Sequence, residues 1–443
     1  MRIPRHHFTG WRDYQRRLQR NARRKQLLRK LPYLAIYSGG SFLVLALVLW
    51  IGSWVAGHLS EAGPRFSDRK ERPNTAPKKL SKQDFAIFFG RLDLQSAQLA
   101  DSLALERGGV RYNITSSLDQ GLQDYTLDLL QRSKTLQAAV VVLRPKDGRV
   151  LTMASYTKDG NRENLCLKAN FPAASLFKIV AAAAALESAG FTPDQTMFFQ
   201  GRRYTLYKQQ LKQTVNRYTN KTTFKEAFAL SINPVFGKLG IYDLGRTLMS
   251  EYADRFLFNQ AIPFDLPVEK STIQVPHDDY GLAEIASGFN KRTLISPLHA
   301  ALLASVVANN GIMVAPWLVE QVSNESGDLL YHRQVTQLTS PISQETAKDL
   351  KTLMETTVRY GTCRKSFYRL RRKKAFKGID FGAKTGTIND RGDRYKYDWL
   401  TGYAIPEDTS KTISIAVLGV HGEKLGLRSS ELSRYILQYY LKS

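Results

Sequence analysis

The sequence predicts an α+β fold, in which a central sheet of about five strands is assembled from both ends of one domain and the helices between them cover it. Three observations predict this. Two β-rich runs flank an Asp147-Gly148 turn in AAVVVLRPKDGRVLTMASY (138–156), a pattern that signals a hairpin. Apolar segments of helical length occupy 171–190, 222–240 and 296–311. Three further strand candidates, FGAKTGT (381–387), WLTGYAI (399–405) and TISIAVLGV (412–420), precede a final helix in ELSRYILQYYL.

Ahead of this domain (136–443) the chain changes character several times. Residues 1–30 hold nine Arg and two Lys against one Asp, and Leu34–Gly57 follows without a charge. At about 1.5 Å per residue this apolar run is long enough to cross a hydrocarbon core of about 30 Å, so a single membrane span is expected at 34–57. The positive-inside rule places the basic tail, 1–33, in the cytoplasm and everything after the span outside it. Residues 58–82 read as an exposed, charged stalk and 83–135 as a small module with two short helices, the second in SLDQGLQDYTLDLLQRS. The net charge of +25 does not point to nucleic acid, because topology explains the tail and the rest faces an extracytoplasmic space. Cys166 and Cys363 are expected to be two separate buried thiols, with a disulfide left open.

The chemistry begins in FPAASLFKIVAAAAALESAG (171–190). Ser175 before an apolar helix would make an ordinary N-cap, but the residue three further on is Lys178, a cation that opposes the helix dipole. Burial and the helix N-terminus both disfavour the charged ammonium, and a neutral lysine can take a proton from a serine hydroxyl. Ser-x-x-Lys is weak by itself, since Ser67 and Lys70 in the stalk form it too. Two more elements strengthen it: Ser231-Ile232-Asn233 within a helical segment, and Lys384-Thr385-Gly386-Thr387 on an expected strand. No histidine is needed, and His277 and His299 are read as structural.

This ordered set, with blocks such as FKEAFALSINPVFGKLG and AKTGTI followed by WLTGYAI, resembles the transpeptidase domain of membrane-anchored, monofunctional penicillin-binding proteins. The resemblance extends from about residue 112 to 420, and the chain has no room for a glycosyltransferase domain. It implies an antiparallel sheet with helices on both faces. It also implies acyl transfer from D-alanyl-D-alanine stem peptides of peptidoglycan through an acyl-enzyme on Ser175, in cell-wall assembly, with β-lactams as inhibitors. By the same resemblance Ser231 relays a proton between Lys178, Lys384 and the leaving group, and Asn233 holds the substrate backbone and Lys178. Lys384 adds positive potential, and Thr385 and Thr387 with the Gly386 between them bind the substrate carboxylate. The N–H groups of Ser175 and Thr387 form the oxyanion hole. A membrane glycosyltransferase or polymerase is the expected partner, and no cofactor or metal is called for.

The acceptor is left open between an amine (transpeptidation) and water (carboxypeptidation or endopeptidation). A β-lactamase or β-lactam sensor fits less well, because Tyr280-Gly281 is followed by Leu282 and no Glu-bearing loop is evident; a non-catalytic scaffold for a polymerase fits intact motifs poorly. Gly288-Phe289-Asn290 departs from the Gly-Gln-Gly of many relatives. The segment RKSFYRLRRKKAFKG (364–378) is read as a solvated loop, with contact to an anionic envelope polymer or acidic partner as the functional alternative.

Overall fold

The computed structural model describes residues 101–442 apart from 108, 109, 162 and 391. The basic tail, the 34–57 span, the stalk with its Ser67/Lys70 decoy and the first part of the small module lie outside the described residues. In chain order the elements that matter are β1 (Ser102–Arg107), β2 (Val110–Ser116), α1 (Gln120–Arg132), β3 (Gln137–Leu143) and β4 (Val150–Thr157). Then come α2 (Lys178–Ser188), α3 (Phe224–Ala229), α4 (Asn233–Leu239), α5 (Gly245–Arg255), α6 (Asp279–Ser287) and α7 (Pro297–Ala308). The last third holds β5 (Val319–Asn324), β6 (Leu329–His332), α8 (Gln344–Arg359), α9 (Arg364–Arg372), β7 (Asp380–Asn389), β8 (Lys396–Ile405), β9 (Ile413–His421) and α10 (Ser429–Tyr440).

The main sheet has five antiparallel strands in the order β7-β8-β9-β3-β4, so it is built from both ends of the domain as expected. Period-two alternation splits each central strand between two cores. Ala139, Val141 and Leu143 of β3 face one, and Ala138, Val140 and Val142 face the other. Ala416 and Leu418 of β9 join the first while Ile415 and Val417 join the second. Helices α2 and α7 fill the first core; α1, α9 and α10 close the second through Leu130, Phe367, Leu370, Leu432 and Ile436. Helix α7 has apolar residues on every side, which suits a helix buried all round.

Residues 101–132 hold a β-hairpin that the sequence did not predict, followed by the second of the two short helices expected in 83–135. The first half is a β-hairpin, β1 and β2, and β2 pairs with β5 to make a second sheet, β1-β2-β5-β6. Its partner lies about two hundred residues away in the chain, which local periodicity cannot register. The expected second helix, α1, is present, and its Asp119 caps the N-terminus by accepting from the Leu122 N–H (3.0 Å). It packs on the main sheet, where buried Gln123 bonds both backbone groups of Met153 (3.0 Å each). Cys166 and Cys363 are free, buried thiols.

Leu298 of α7 is fully buried in the first core. Leu298→Ala is expected to lower stability by about 2–5 kcal/mol in chemical denaturation, and a loss below about 1 kcal/mol would contradict this packing.

Candidate active site

Several chain segments converge on one cleft of about 900 Å³, lined by Ser175, Ser231, Asn233, Thr385 and Thr387 among others. Ser175 does not cap a helix. It sits inside a single 3₁₀ turn, Ala174–Phe177, that runs directly into α2 at Lys178, and no side chain caps that turn. The turn begins at Ala174 with φ of +49°, a left-handed conformation that a residue with a Cβ adopts at a cost. Gly288 is fitted against it: its own φ is +65°, and a Cβ there would lie 2.0 Å from the Ala174 carbonyl oxygen.

Ser231 is likewise not within a helix, as the sequence suggested, but in the break between α3 and α4. Its φ is +55°, and the Ile232 N–H returns to the Ala227 carbonyl (2.9 Å), the pattern of a helix end that glycine usually occupies. A serine held in this conformation points to a use for its side chain. Its Oγ accepts from Lys384 Nζ at 3.0 Å.

Lys178 is fully buried. Its Nζ lies 3.0 Å from Ser175 Oγ, donates to Asn233 Oδ1 at 2.8 Å, and makes a short contact with the Ser287 carbonyl at the end of α6. All three partners are neutral. Burial therefore pushes the Lys178 ammonium well below its ordinary range, and the positive charge of Lys384 adds to the effect. A neutral Lys178 has two N–H bonds and one lone pair; the acceptors Asn233 Oδ1 and Ser287 O take the N–H bonds, which leaves the lone pair for Ser175.

Lys384, on edge strand β7, is also fully buried, and its Nζ donates to Ser231 Oγ and to the Thr385 carbonyl (2.8 Å). Burial pulls it down to about 7. The rings of Phe236 and Phe228 lie 5.3 and 5.5 Å from the two ammonium nitrogens. Such contacts return about 0.5–2 kcal/mol to the charged form, less than loss of water from a buried ammonium removes. Gly386 lets β7 approach, because a Cβ there would lie 3.3 Å from the Ser175 backbone nitrogen and 3.2 Å from the Ala174 Cβ.

The structure therefore brings Ser175, Lys178, Ser231, Asn233, Lys384, Thr385, Gly386 and Thr387 together. Sequence reasoning missed Thr362, whose hydroxyl lies 2.6 Å from that of Thr385, and Asp398. Asp398 accepts from Thr387 Oγ1 (3.3 Å), from Arg428 Nε and Nη2 (3.0 and 2.6 Å) and from the Ser429 N–H (2.7 Å). Burial alone would push its carboxyl up, yet His421, Arg428 and the Ser429 N–H hold it well below the usual carboxylate range. A carboxylate inside the apolar strand KYDWLTGYAI was the available signal, since such a group requires a partner.

Among the described residues no histidine lines the cleft. His299 is fully buried, its Nε2 meets the Phe256 carbonyl at 2.7 Å, and burial lowers it to about 4. His277 lines a separate depression beside α5 and α6. His421 Nδ1 accepts from the Gly426 N–H (3.1 Å), so its neutral form carries the proton on Nε2, which faces Asp398 at 3.8 Å. In the departing Gly288-Phe289-Asn290 loop, Asn290 Oδ1 accepts from the Arg292 and Thr293 N–H groups (3.0 and 2.7 Å), while Phe289 is 42% exposed at the cleft wall.

Lys384 sets a pH dependence of stability. The folded chain releases this proton near 7 and an unfolded lysine near 10.5. The penalty is fully present below pH 7 and relieved as pH rises, because the unfolded chain then binds more protons. Lys178 acts with the same sign. The denaturation midpoint is expected to rise from pH 7 to 9, less steeply in Lys384→Met; equal slopes would contradict the burial of this charge.

A family profile for the penicillin binding protein transpeptidase domain matches residues 138–437. Stage V sporulation protein D of Bacillus subtilis (strain 168) is 25% identical over 295 residues, covering 62% of this chain and 44% of that protein. The peptidoglycan D,D-transpeptidase PbpA of Mycolicibacterium smegmatis is 24% identical over 349 residues, 70% of this chain and 67% of that protein. The chain thus spans less than half of the first relative. In structure, the D,D-transpeptidase domain of a peptidoglycan glycosyltransferase from Eggerthella lenta superposes with a TM-score of 0.61 at 23% identity, covering 74% of this chain and 82% of that one. Penicillin-binding protein A from M. tuberculosis, as its imipenem acyl-enzyme, gives 0.61 at 22% identity over 74% and 79%. These likenesses show the fold.

Proposed function

This chain belongs to the penicillin-binding protein transpeptidase family, and from that premise we propose that it is a serine-type peptidoglycan D,D-transpeptidase inhibited by β-lactams. One observation carries the reading: a fully buried lysine whose lone pair is left to Ser175 by two neutral acceptors. Lys178 takes the Ser175 proton as Oγ attacks the carbonyl carbon of the penultimate D-alanine, and the N–H groups of Ser175 and Thr387 stabilise the oxyanion. The C–N bond breaks. The departing amine of D-alanine receives a proton delivered through Ser231, which Lys384 holds in place. An amine of a second stem peptide then attacks the ester, restoring the serine hydroxyl and forming the cross-link.

Asn233 has a double duty, with Oδ1 fixing Lys178 and the rest of the amide anchored to the Tyr204 carbonyl (3.1 Å). Thr385 and Thr387 bind the terminal carboxylate of the substrate, Thr387 by turning to it the hydroxyl proton that it gives to Asp398 while the cleft is empty. The apolar run at 34–57 and the basic tail before it support a single-pass anchor with this domain on the outer side of the membrane and a membrane polymerase as working partner.

Fluorescent penicillin is expected to label the full-length chain covalently, with no labelling of Ser175→Ala. Lys178→Met is expected to slow acylation by about 10²–10⁴-fold. An unlabelled wild type, or equal labelling of Ser175→Ala, would overturn the assignment. Release of D-alanine from a stem peptide, with and without an added amine, then measures the choice of acceptor.

A second outcome is specific to Thr362. Removing its hydroxyl as Thr362→Val is expected to weaken acylation by penicillin about tenfold, with Thr362→Ser restoring it, because one hydrogen bond in a polar pair is then lost.

A further inference from the structure

The basic segment after α8 is not the solvated loop its composition suggested. It forms α9, followed by a 3₁₀ turn at Lys374–Phe376. Phe367, Leu370 and Phe376 are buried in the second core, so the segment is fixed with its cations outward. Eight basic residues and no acidic one lie between 364 and 377. Arg364, Arg369, Arg372, Lys373, Lys374 and Lys377 are exposed, and none of the eight has a carboxylate partner among the described residues.

This arrangement opposes local stability in two ways. Arg364 and Lys365 occupy the first turn of α9, where a cation opposes the helix dipole, and Lys365/Arg369 and Arg369/Arg372 are like-charge neighbours four and three residues apart. Burial and nearby Arg359 also pull the Arg371 guanidinium below its ordinary range. Arg369, Arg371 and Arg372 lie in the last turn, where cations suit the helix dipole, yet no carboxylate of the described residues neutralises the stripe, and so much uncompensated charge of one sign is suited to an anionic ligand.

The kind of ligand follows from what the stripe lacks. A folded protein partner needs apolar anchors at the centre of its interface, and the one large exposed side chain here, Tyr368, is engaged by Arg372. A helix that lies in a bilayer surface needs an outward apolar face, and the apolar residues of α9 point into the core. A line of positive charge along a helix about 14 Å long, continued by Lys373, Lys374 and Lys377, fits a flexible chain with repeated negative charge. The line starts at the catalytic cleft, whose wall includes Lys365 and Ser366.

We propose that residues 364–377 form a docking stripe for an extended polyanionic envelope polymer, carrying phosphodiester or carboxylate groups along its length, held beside the mouth of the cleft. The outward placement of the domain proposed above supplies the compartment. Binding itself does not involve Ser175 chemistry, so the two readings fail separately.

The test uses the full-length chain in detergent with three probes: poly(glycerol phosphate), polyglutamate, and vesicles containing anionic lipid. At least one polymer is expected to bind at 50 mM salt, and its affinity to fall about fiftyfold to a hundredfold by 200 mM, as for the release of about three counterions. Which polymer binds more tightly identifies the source of the anion. The variant Arg369→Gln/Arg372→Gln/Lys373→Gln/Lys374→Gln is expected to bind at least tenfold more weakly with its melting temperature kept within about 2 °C. Should that variant unfold, Arg372→Gln/Lys374→Gln takes its place with at least a threefold loss expected. Failure of both polymers to bind at 50 mM salt, binding by a folded variant as tight as wild type, or binding to vesicles alone would overturn the proposal.

Discussion

Lys178 and Lys384 are both removed from water in one cleft wall, and every atom their nitrogens reach belongs to a neutral oxygen. Transfer of an unpaired ammonium into such surroundings is costly enough that the group gives up its proton instead. The positive charge of Lys384 makes protonation of Lys178 less favourable still. Once Lys178 is neutral, hydrogen-bond accounting decides the rest. Two fixed acceptors use its N–H bonds and its lone pair is left facing a hydroxyl. In the proposed function, Ser175 is prepared by exclusion of water and by placement of neutral acceptors around Lys178.

Much of the surrounding fold can be understood as holding that geometry. The five-stranded sheet presents Lys384 and its neighbours on an edge strand, β7, where a second chain segment can come close. Gly386 allows the approach and Gly288 allows the end of α6 to meet the Ser175 turn. Left-handed backbone at Ala174 and Ser231 directs two serine side chains to the cleft from positions where a helix interior would turn them elsewhere. Asp398, tied to Arg428 and the start of α10, holds Thr387 from behind. Strain and packing at these points are local costs, carried by two large cores on either face of the sheet.

The strands of the main sheet were legible because their apolar runs are flanked by clear turns, and Asp147-Gly148 marks the β3–β4 hairpin directly. Helix α2 was legible from its unbroken apolar run, as was the significance of a charge at its start. The second sheet was not, because β2 finds β5 across most of the domain and neither has a distinctive pattern alone. The site residues were recognisable by order and type. Their local geometry was less so: Ser175 looked like a cap and Ser231 like part of a helix, since left-handed conformation at a serine leaves no mark in composition. Thr362 escaped notice because its meaning lies in a partner from another segment, and Asp398 because its one local mark, a carboxylate in an apolar strand, does not name its partners. The basic run at 364–378 looked like a loop because charge obscured Phe367 and Leu370, the two residues that bind α9 to the core.

The central claim is that burial makes Lys178 give up its proton well below the ordinary lysine range before any substrate arrives. The second-order rate constant for penicillin acylation, followed from pH 5 to 10 at constant ionic strength, tests it most directly. Because burial holds Lys178 well below its ordinary range, the rate is predicted to level off well before the pH reaches 10.5. A rate that still climbs tenfold per pH unit through 9 and bends only near 10.5, the ordinary value for lysine, would contradict it.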